Sequence, residues 1–401
     1  MGFRPTRPTT PPLLTTDPIW LTTERQGPCQ DQFPVGLMTT GSSKRRASTI
    51  LCIFNTSTHN RPFVSRMVLG LIPGLICKHV IYASVQLPGP DDELQSSTPE
   101  FDTECGGLSA VQVLKKRYQS IKVYTVLSAH EPTEQTALFT VASRGTNKVA
   151  KKARDWVVKF GFDGFFISWS QPYAKDKSSL LFDLFASVFR PNLTLGAILP
   201  WESTELQNYD IPHIASRVDW LIVKTHGYYP RPGYQTTICS SPWKDIKNGL
   251  KYLVANLTDN MDLSHVCFTV SFRATGYHVV DKGFGYYLKT SGPGNLNRYT
   301  GDDGVIAYRQ VCKSESIASR QATHYCSYVR INQTWVAFED QWSITRKVQE
   351  SLKLLRQTRG NVPADQPFCV GVWDLDLDDY KASCTPKKKW PLLEALAAAM
   401  P

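Results

Sequence analysis

The chain has 401 residues, of which 42% are hydrophobic and 11% aromatic, so it can bury a substantial core. No segment approaches the ~20 consecutive apolar residues that a membrane-spanning helix needs. The net charge of +10 reflects either acidic partners or a solvated basic surface, and no basic motif interleaved with aromatic residues indicates nucleic-acid binding.

Cysteine usage and glycosylation signals bear on the compartment. The ten cysteines are spread along the chain without a C-x-x-C pair, so we predict neither a zinc cluster nor any other metal or cofactor site. Four N-x-S/T sequons lie at Asn55, Asn192, Asn256 and Asn332. Together these features favour an extracellular, disulfide-bonded glycoprotein over a cytosolic protein. The opening residues lack the apolar core of a signal peptide, which fits secretion only if the gene start is incomplete or the chain is one module of a longer protein.

The first predicted domain, residues 1–46, is rich in Pro and Thr and shows no hydrophobic periodicity. Such a composition is typical of a disordered, O-glycosylated linker. Cys29 lies inside this segment, which leaves open an unpaired thiol. The second predicted domain, 47–401, begins with short apolar strands at 48–54 and 77–85, and a third strand follows at 121–128.

A predicted helix over 146–160 leads into the most informative stretch, 161–172. Bulky apolar residues fall on both faces of this stretch, as in a buried parallel strand. Further apolar strands are predicted at 193–199, 218–225, 266–272 and 369–379. Because chemistry in a barrel of parallel strands sits at the C-terminal strand ends, residues 167–170 are the candidate site.

The stretch 161–172 resembles the signature strand of the family 18 glycoside hydrolases, the chitinase family, which reads F-D-G-x-D-x-D-W-E-x-P. The matching residues are Phe162, Asp163, Gly164, Trp169 and Pro172. The three catalytic carboxylates of the pattern are replaced by Phe166, Ser168 and Ser170, the last at the position of the catalytic Glu. The resemblance implies that Asp163, Gly164 and Trp169 keep a structural role while the catalytic positions are degenerate.

The resemblance continues in order from about residue 48 to 395 through at least five motifs. It implies an α/β fold, a (β/α)8 TIM barrel over 47–401, with a small α+β insertion at about 276–327 between strands seven and eight. It also implies two disulfides, Cys52–Cys77 and Cys312–Cys384, although two buried free thiols remain the alternative for the first pair. The other six cysteines cannot be paired from sequence.

Strand six resembles V-D-F-x-x-V-M-T-Y-D, whose Tyr and Asp position the N-acetyl group of the substrate. In this chain the Met is Lys224, the Tyr is His226 and the Asp is Gly227, so that clamp is absent. After strand three, His130 is either a replacement base or, more simply, a solvated loop residue. Ser170 as an acyl-type nucleophile would need a His base, and the chain has no G-x-S-x-G elbow.

Aromatic residues match the family better than the acids do. Trp373 aligns with the Trp on which the central sugar stacks, and Tyr228, Tyr229 and Trp335 are further candidates for a glycan groove. Trp169 is a weaker candidate, because core packing explains it more simply.

The sequence therefore predicts a monomeric, catalytically inactive chitinase-like protein that binds chitin or related N-acetylglucosamine-containing glycans. One alternative is a protein-interaction or growth-factor-like module on the same fold, with a protein partner. Another is a weakly active glycosidase with a relocated acid such as Glu202 or Asp374.

Overall fold

The computed structural model describes Cys29 and residues 48–62, 66–170, 172–200, 202–230, 235–257, 262–295, 299–359 and 367–401. The linker predicted at 1–46 therefore lies outside the described residues, apart from Cys29. Within these ranges every helix is too short or too polar to cross a bilayer.

Strands and helices are numbered in chain order. The strands are β1 (Thr49–Asn55), β2 (His79–Gln86), β3 (Gln95–Ser96), β4 (Lys122–Ala129), β5 (Gly164–Trp169), β6 (Thr194–Leu199), β7 (Trp220–Val223), β8 (Val266–Ser271), β9 (Ala274–Val279), β10 (Thr290–Pro293), β11 (Val305–Ile306), β12 (Ser319–Gln321), β13 (Cys326–Ile331), β14 (Thr334–Phe338) and β15 (Cys369–Trp373). The helices are α1 (Gly107–Arg117), α2 (Pro132–Arg144), α3 (Lys148–Phe160), α4 (Lys175–Phe189), α5 (Ser203–Leu206), α6 (Ile211–Arg217), α7 (Trp243–Ala255), α8 (Tyr308–Val311), α9 (Gln341–Arg359) and α10 (Pro391–Ala399).

Eight parallel strands close into a ring in the order β1, β2, β4, β5, β6, β7, β8 and β15. The ring closes because β1 pairs in parallel with both β2 and β15. The short strand β3 adds to the outer edge of β2 in the antiparallel direction. Helices connect the parallel strands, so the predicted (β/α)8 barrel is confirmed.

Strand β5 shows why the barrel strands are apolar on both faces. Phe165 points outward and packs on α4, with ring centroids 5.9 Å from Phe185 and 5.6 Å from Phe189. Phe166 points inward and is fully buried in the barrel interior, where its ring meets the edge of Tyr124 at 5.3 Å. Both faces of the strand are therefore covered, as in other parallel barrels.

A second sheet, ordered β10-β9-β14-β13-β12 with β11 on β9, forms the insertion. It covers residues 274–338, so the insertion predicted at 276–327 is too short at its C-terminal end. The reason is β14, which pairs with both β13 and β9 and so belongs to this sheet.

All ten cysteines form disulfides. The predicted bridges Cys52–Cys77 and Cys312–Cys384 are confirmed. The other three are Cys29–Cys105, Cys239–Cys326 and Cys267–Cys369. Cys29 is thus not an unpaired thiol, because it is bonded to Cys105, which lies just before α1.

Candidate functional site

A small cavity lies where β5, β6 and β7 end, at the C-terminal mouth of the barrel. Its volume is about 160 Å³, and its lining residues are Ser168, Trp169, Ser170, Ile198, Pro200, Glu205 and Lys224. These residues come from neighbouring parallel strands and the connections that follow them, which end at one edge of the ring. The predicted site at 167–170 therefore does lie on a cavity.

Phe166 lies one inward-facing position below this cavity. Its ring occupies the space beside Gly196 on β6, where an added Cβ would approach the ring carbon Cε1 to 2.1 Å. Together with Tyr124 and Ile198 it forms part of the apolar barrel interior. Phe166 therefore places an apolar ring in the barrel interior below the cavity, at the position where the family pattern has a carboxylate.

Ser168 and Ser170 are the next residues of β5 on the same face, since side chains alternate along a strand. Ser168 is buried and Ser170 is half-buried, and both line the cavity. Their hydroxyls accept and donate hydrogen bonds but do not release a proton near neutral pH. The cavity edge of β5 is therefore polar and uncharged.

His130, which follows β4, touches this edge. Its Nδ1 is in hydrogen-bonding contact with Ser170 Oγ, and its backbone N–H donates to Glu134 Oε2 at 3.1 Å. Burial of the ring and then the nearby Lys224 ammonium lower the pKa of His130 to about 4, although the residue has an open side to solvent. The imidazole is neutral at physiological pH, and no carboxylate of the described residues bonds to its ring.

This contact bears on the two alternatives predicted for His130, a replacement base or a solvated loop residue. His130 is an exposed loop residue, and its ring also contacts the serine that stands at the family's acid position. The pair lacks the carboxylate that would orient the histidine in a Ser-His-Asp triad.

Lys224 enters the cavity from the end of β7. The residue is half-buried, and its Nζ lies 5.9 Å from the centroid of the Trp373 ring. Burial lowers the pKa of the Lys224 ammonium, and the negative charge of Glu205 partly offsets this effect. A cation and a carboxylate therefore share the cavity with the two serines.

Sequence reasoning missed Lys224 and Glu205 as cavity residues. For Lys224 a signal existed: Trp220 and Ile222 point into the barrel, and a period of two places Lys224 on the same inward face. Glu205 lies on α5, a short helix whose direction no strand periodicity predicts.

The residues at the clamp positions, His226 and Gly227, provide no hydroxyl or carboxylate. His226 Nδ1 lies 2.6 Å from Thr269 Oγ1, and its ring lies 4.8 Å from that of Trp373. Burial first, and then the charges of Lys224 and Arg273, lower the pKa of His226 to about 3. Gly227 is exposed and donates its backbone N–H to Ser241 Oγ at 3.1 Å.

Of the predicted groove aromatics, Trp373 and Tyr229 are half-buried and keep some surface for a ligand. Tyr228 is buried, and Trp335 is completely buried in the insertion, where its ring packs on Tyr328 at 5.2 Å. The prediction that Tyr228 and Trp335 line a glycan groove is therefore wrong, because neither ring has a face for a sugar.

Trp169 and Asp163, which the sequence predicts to be structural, have the following surroundings. Trp169 is 1% exposed, in accordance with core packing, and its carbonyl accepts a hydrogen bond from the Tyr209 hydroxyl. Asp163 precedes β5 at the far end from the cavity, where it accepts from the Val123 N–H at 2.9 Å and pairs with Lys115 at 3.0 Å.

The relocated acids that the sequence raised, Glu202 and Asp374, do not line the cavity. Asp374 accepts a hydrogen bond from Ser271 Oγ at 2.5 Å. The carboxylate that does line the cavity, in the described part of the chain, is Glu205. Among the same residues no group of three or more His, Cys, Asp or Glu is placed to hold a metal ion.

Comparison with known proteins gives consistent matches. The family model for glycosyl hydrolases family 18 matches residues 51–356, more than half of the chain. The endochitinase of Manduca sexta is 23% identical over 402 residues, which cover 90% of this chain and 69% of that protein.

Two solved structures share the fold. Catalytic domain 2 of the group II chitinase of Ostrinia furnacalis has a TM-score of 0.76 at 20% identity, covering 88% of this chain and 96% of that chain. Human YKL-39, described as a pseudo-chitinase with retained chitooligosaccharide binding properties, has a TM-score of 0.74 at 16% identity, covering 88% and 99%.

Proposed function

The chain belongs to glycosyl hydrolase family 18, and we propose that within this family it is a non-hydrolytic, chitinase-like protein that binds N-acetylglucosamine-containing glycans. The observation that carries the proposal is the end of β5, where Ser168 and Ser170 line the cavity and Phe166 fills the barrel below it.

The chemistry of the family explains why these residues matter. Its substrate-assisted hydrolysis needs a carboxylic acid to protonate the leaving oxygen while other groups hold the substrate acetamide. General-acid help alone contributes roughly 10²–10⁴-fold to such a rate. Ser170 supplies no acid, and Ser168, His226 and Gly227 supply no acetamide clamp.

Glycan binding is supported by the half-buried ring of Trp373 at the end of β15. Flat aromatic rings bury the apolar C–H face of a sugar. The structural neighbour YKL-39 is described as retaining chitooligosaccharide binding as a pseudo-chitinase, which is the same combination of properties. Five disulfides support action outside the reducing cytosol.

A second candidate function, a glycosidase with a relocated acid, is favoured by one observation. Glu205 lies on the same cavity as Ser168 and Ser170 and is a carboxylate that the family pattern does not provide. It replaces Glu202 and Asp374 as the residue to test for this alternative.

Calorimetric titration with chitotetraose tests the binding proposal. We expect saturable binding by the unmodified protein and about a tenfold weaker affinity in Trp373→Ala, since one stacked aromatic contributes roughly 1 kcal/mol or more. Trp156→Ala is the matched control, because Trp156 is half-buried on the outer helix α3, where its ring packs against Phe160 at 4.7 Å. Thermal denaturation checks that both variants fold.

Absence of binding to chitotetraose and to every other N-acetylglucosamine-containing probe would refute the proposal. That result would favour a protein-interaction module. Exposed Phe284 and Tyr287 on the insertion would then be the first surface to examine.

A further inference from the structure

The cavity at the end of β5 contains the ammonium group of Lys224. In the family pattern, by contrast, the end of this strand provides acids. The Lys224 ammonium forms no ion pair with a carboxylate of the described residues, although Glu205 faces the same cavity. Burial of an ammonium group that the charge of Glu205 offsets only in part is costly, so the site favours a ligand that supplies further negative charge.

A second cation, Arg273, acts on His226 together with Lys224. Arg273 follows β8 at the same edge of the ring, and its Nε is buried without a hydrogen-bond partner among the described residues. The charges that act on His226 come from Lys224 and Arg273, and the charge that acts on His130 comes from Lys224. Positive charge from Lys224 therefore acts on both histidines, and His226 also experiences the charge of Arg273.

The negative groups nearby only partly balance these cations. Glu205 lines the cavity, whereas Asp374 is held by Ser271 Oγ and acts on Arg61. The remaining polar groups, Ser168 and Ser170, are neutral and offer hydroxyl donors to an anion. In the family pattern the same two positions are carboxylates, which would repel one.

We propose that this cavity binds the acidic group of an anionic sugar, a carboxylate or a sulfate ester, within the glycan, with Lys224 as the ion-pairing residue. This inference rests on the proposed glycan-binding function and specifies its ligand class. The cavity of about 160 Å³ is smaller than the ~300–1,000 Å³ of typical ligand pockets, which fits one substituent of a sugar rather than a whole ring. Charge-assisted hydrogen bonds from the ammonium and the two hydroxyls would hold that group.

The test compares tetrasaccharides that differ in charge. The probes are chitotetraose, its 6-O-sulfated form, and a tetrasaccharide of alternating glucuronic acid and N-acetylglucosamine, each titrated into the full chain by calorimetry. We expect at least one acidic probe to bind about tenfold more tightly than chitotetraose and to weaken as salt is raised. The tighter of the two acidic probes identifies carboxylate or sulfate as the preferred group.

Variants at Lys224 test whether binding of the acidic probe depends on the charge of this side chain or only on its size. Lys224→Met, which introduces the family residue, should weaken binding of the acidic probe about tenfold more than it weakens binding of chitotetraose, while Lys224→Arg should retain most of the acidic affinity. Lys116→Met, at an exposed lysine on α1, is the control and should change neither. Thermal denaturation confirms that each variant folds.

Two results would overturn the inference. If chitotetraose binds as tightly as both acidic probes, or if Lys224→Met leaves the acidic affinity unchanged, the cavity does not select an acidic group, while glycan binding itself stands. If none of the three probes binds, the inference and the proposed function both fail.

Discussion

The end of β5 lacks the carboxylates of the family pattern, whereas the segment after β15 contains the buried carboxylates of Asp378 and Asp379. After β15, buried Asp378 accepts hydrogen bonds from the backbone N–H groups of Asp379, Leu392 and Leu393. At the end of β5, Phe166, Ser168 and Ser170 stand in place of acids. The carboxylate of Asp378 stabilises the backbone through hydrogen bonds, whereas the acids at the end of β5 in the family pattern take part in the reaction.

The physical reason is the number of partners that each group satisfies. Asp378 accepts hydrogen bonds from three backbone N–H groups, two of them at the start of α10. Asp379 accepts hydrogen bonds from the N–H groups of Ser383 and Cys384. Removing such an acceptor leaves buried donors without a partner. Among the described residues, Ser168 and Ser170 accept no comparable set of backbone amides, so the fold depends less on them than on Asp378.

The largest expected effect is therefore at Asp378. Asp378→Ala should lower the free energy of unfolding by about 3 kcal/mol or more, because it leaves three buried N–H groups unsatisfied. Ser168→Ala on the cavity should change it by less than about 0.5 kcal/mol. Urea denaturation of both variants measures the contrast, with Asp378→Asn as an intermediate control that keeps one acceptor oxygen. Similar losses in Asp378→Ala and Ser168→Ala would contradict the comparison.

A smaller effect on the free energy of unfolding is expected at Gly196. This residue lies on β6, where it packs against the Phe166 ring of β5 in the barrel interior. Gly196→Ala should cost about 1–3 kcal/mol, because its methyl group would overlap the Phe166 ring. The same substitution in a Phe166→Leu background should cost measurably less, since the smaller side chain leaves space. A cost that is independent of residue 166 would show that Phe166 does not fill this position.

The sequence predicted the barrel well because each of its strands is a continuous apolar run. The strand predicted at 121–128, for example, is observed as Lys122–Ala129. The bridge Cys267–Cys369 was not predicted, because it depends on β8 and β15 being in register, with these two residues directly opposite each other. Sequence alone does not give that register.

The site was predicted less completely than the fold. Two of the three degenerate positions at the end of β5, Ser168 and Ser170, line a cavity, as strand alternation and the barrel rule imply. Residue type did not show that Trp335 packs inside the insertion, because an aromatic ring suits a core and a sugar groove equally well. The contact between His130 and Ser170 joins two different strand ends, and only the three-dimensional structure brings them together.

The central claim is that this barrel has lost hydrolysis at the end of β5, and turnover of a fluorogenic chitobiose substrate tests it most directly. The assay compares the unmodified protein, Ser170→Glu and Glu205→Gln between pH 4 and 8, with an active family 18 chitinase as the positive control. We predict no turnover above the blank for any of the three. Ser170→Glu should fail as well, because a single carboxyl without its orienting partner lacks the pKa and geometry of a general acid. Clear turnover by the unmodified protein that is abolished by Glu205→Gln would contradict the claim and identify Glu205 as a relocated acid.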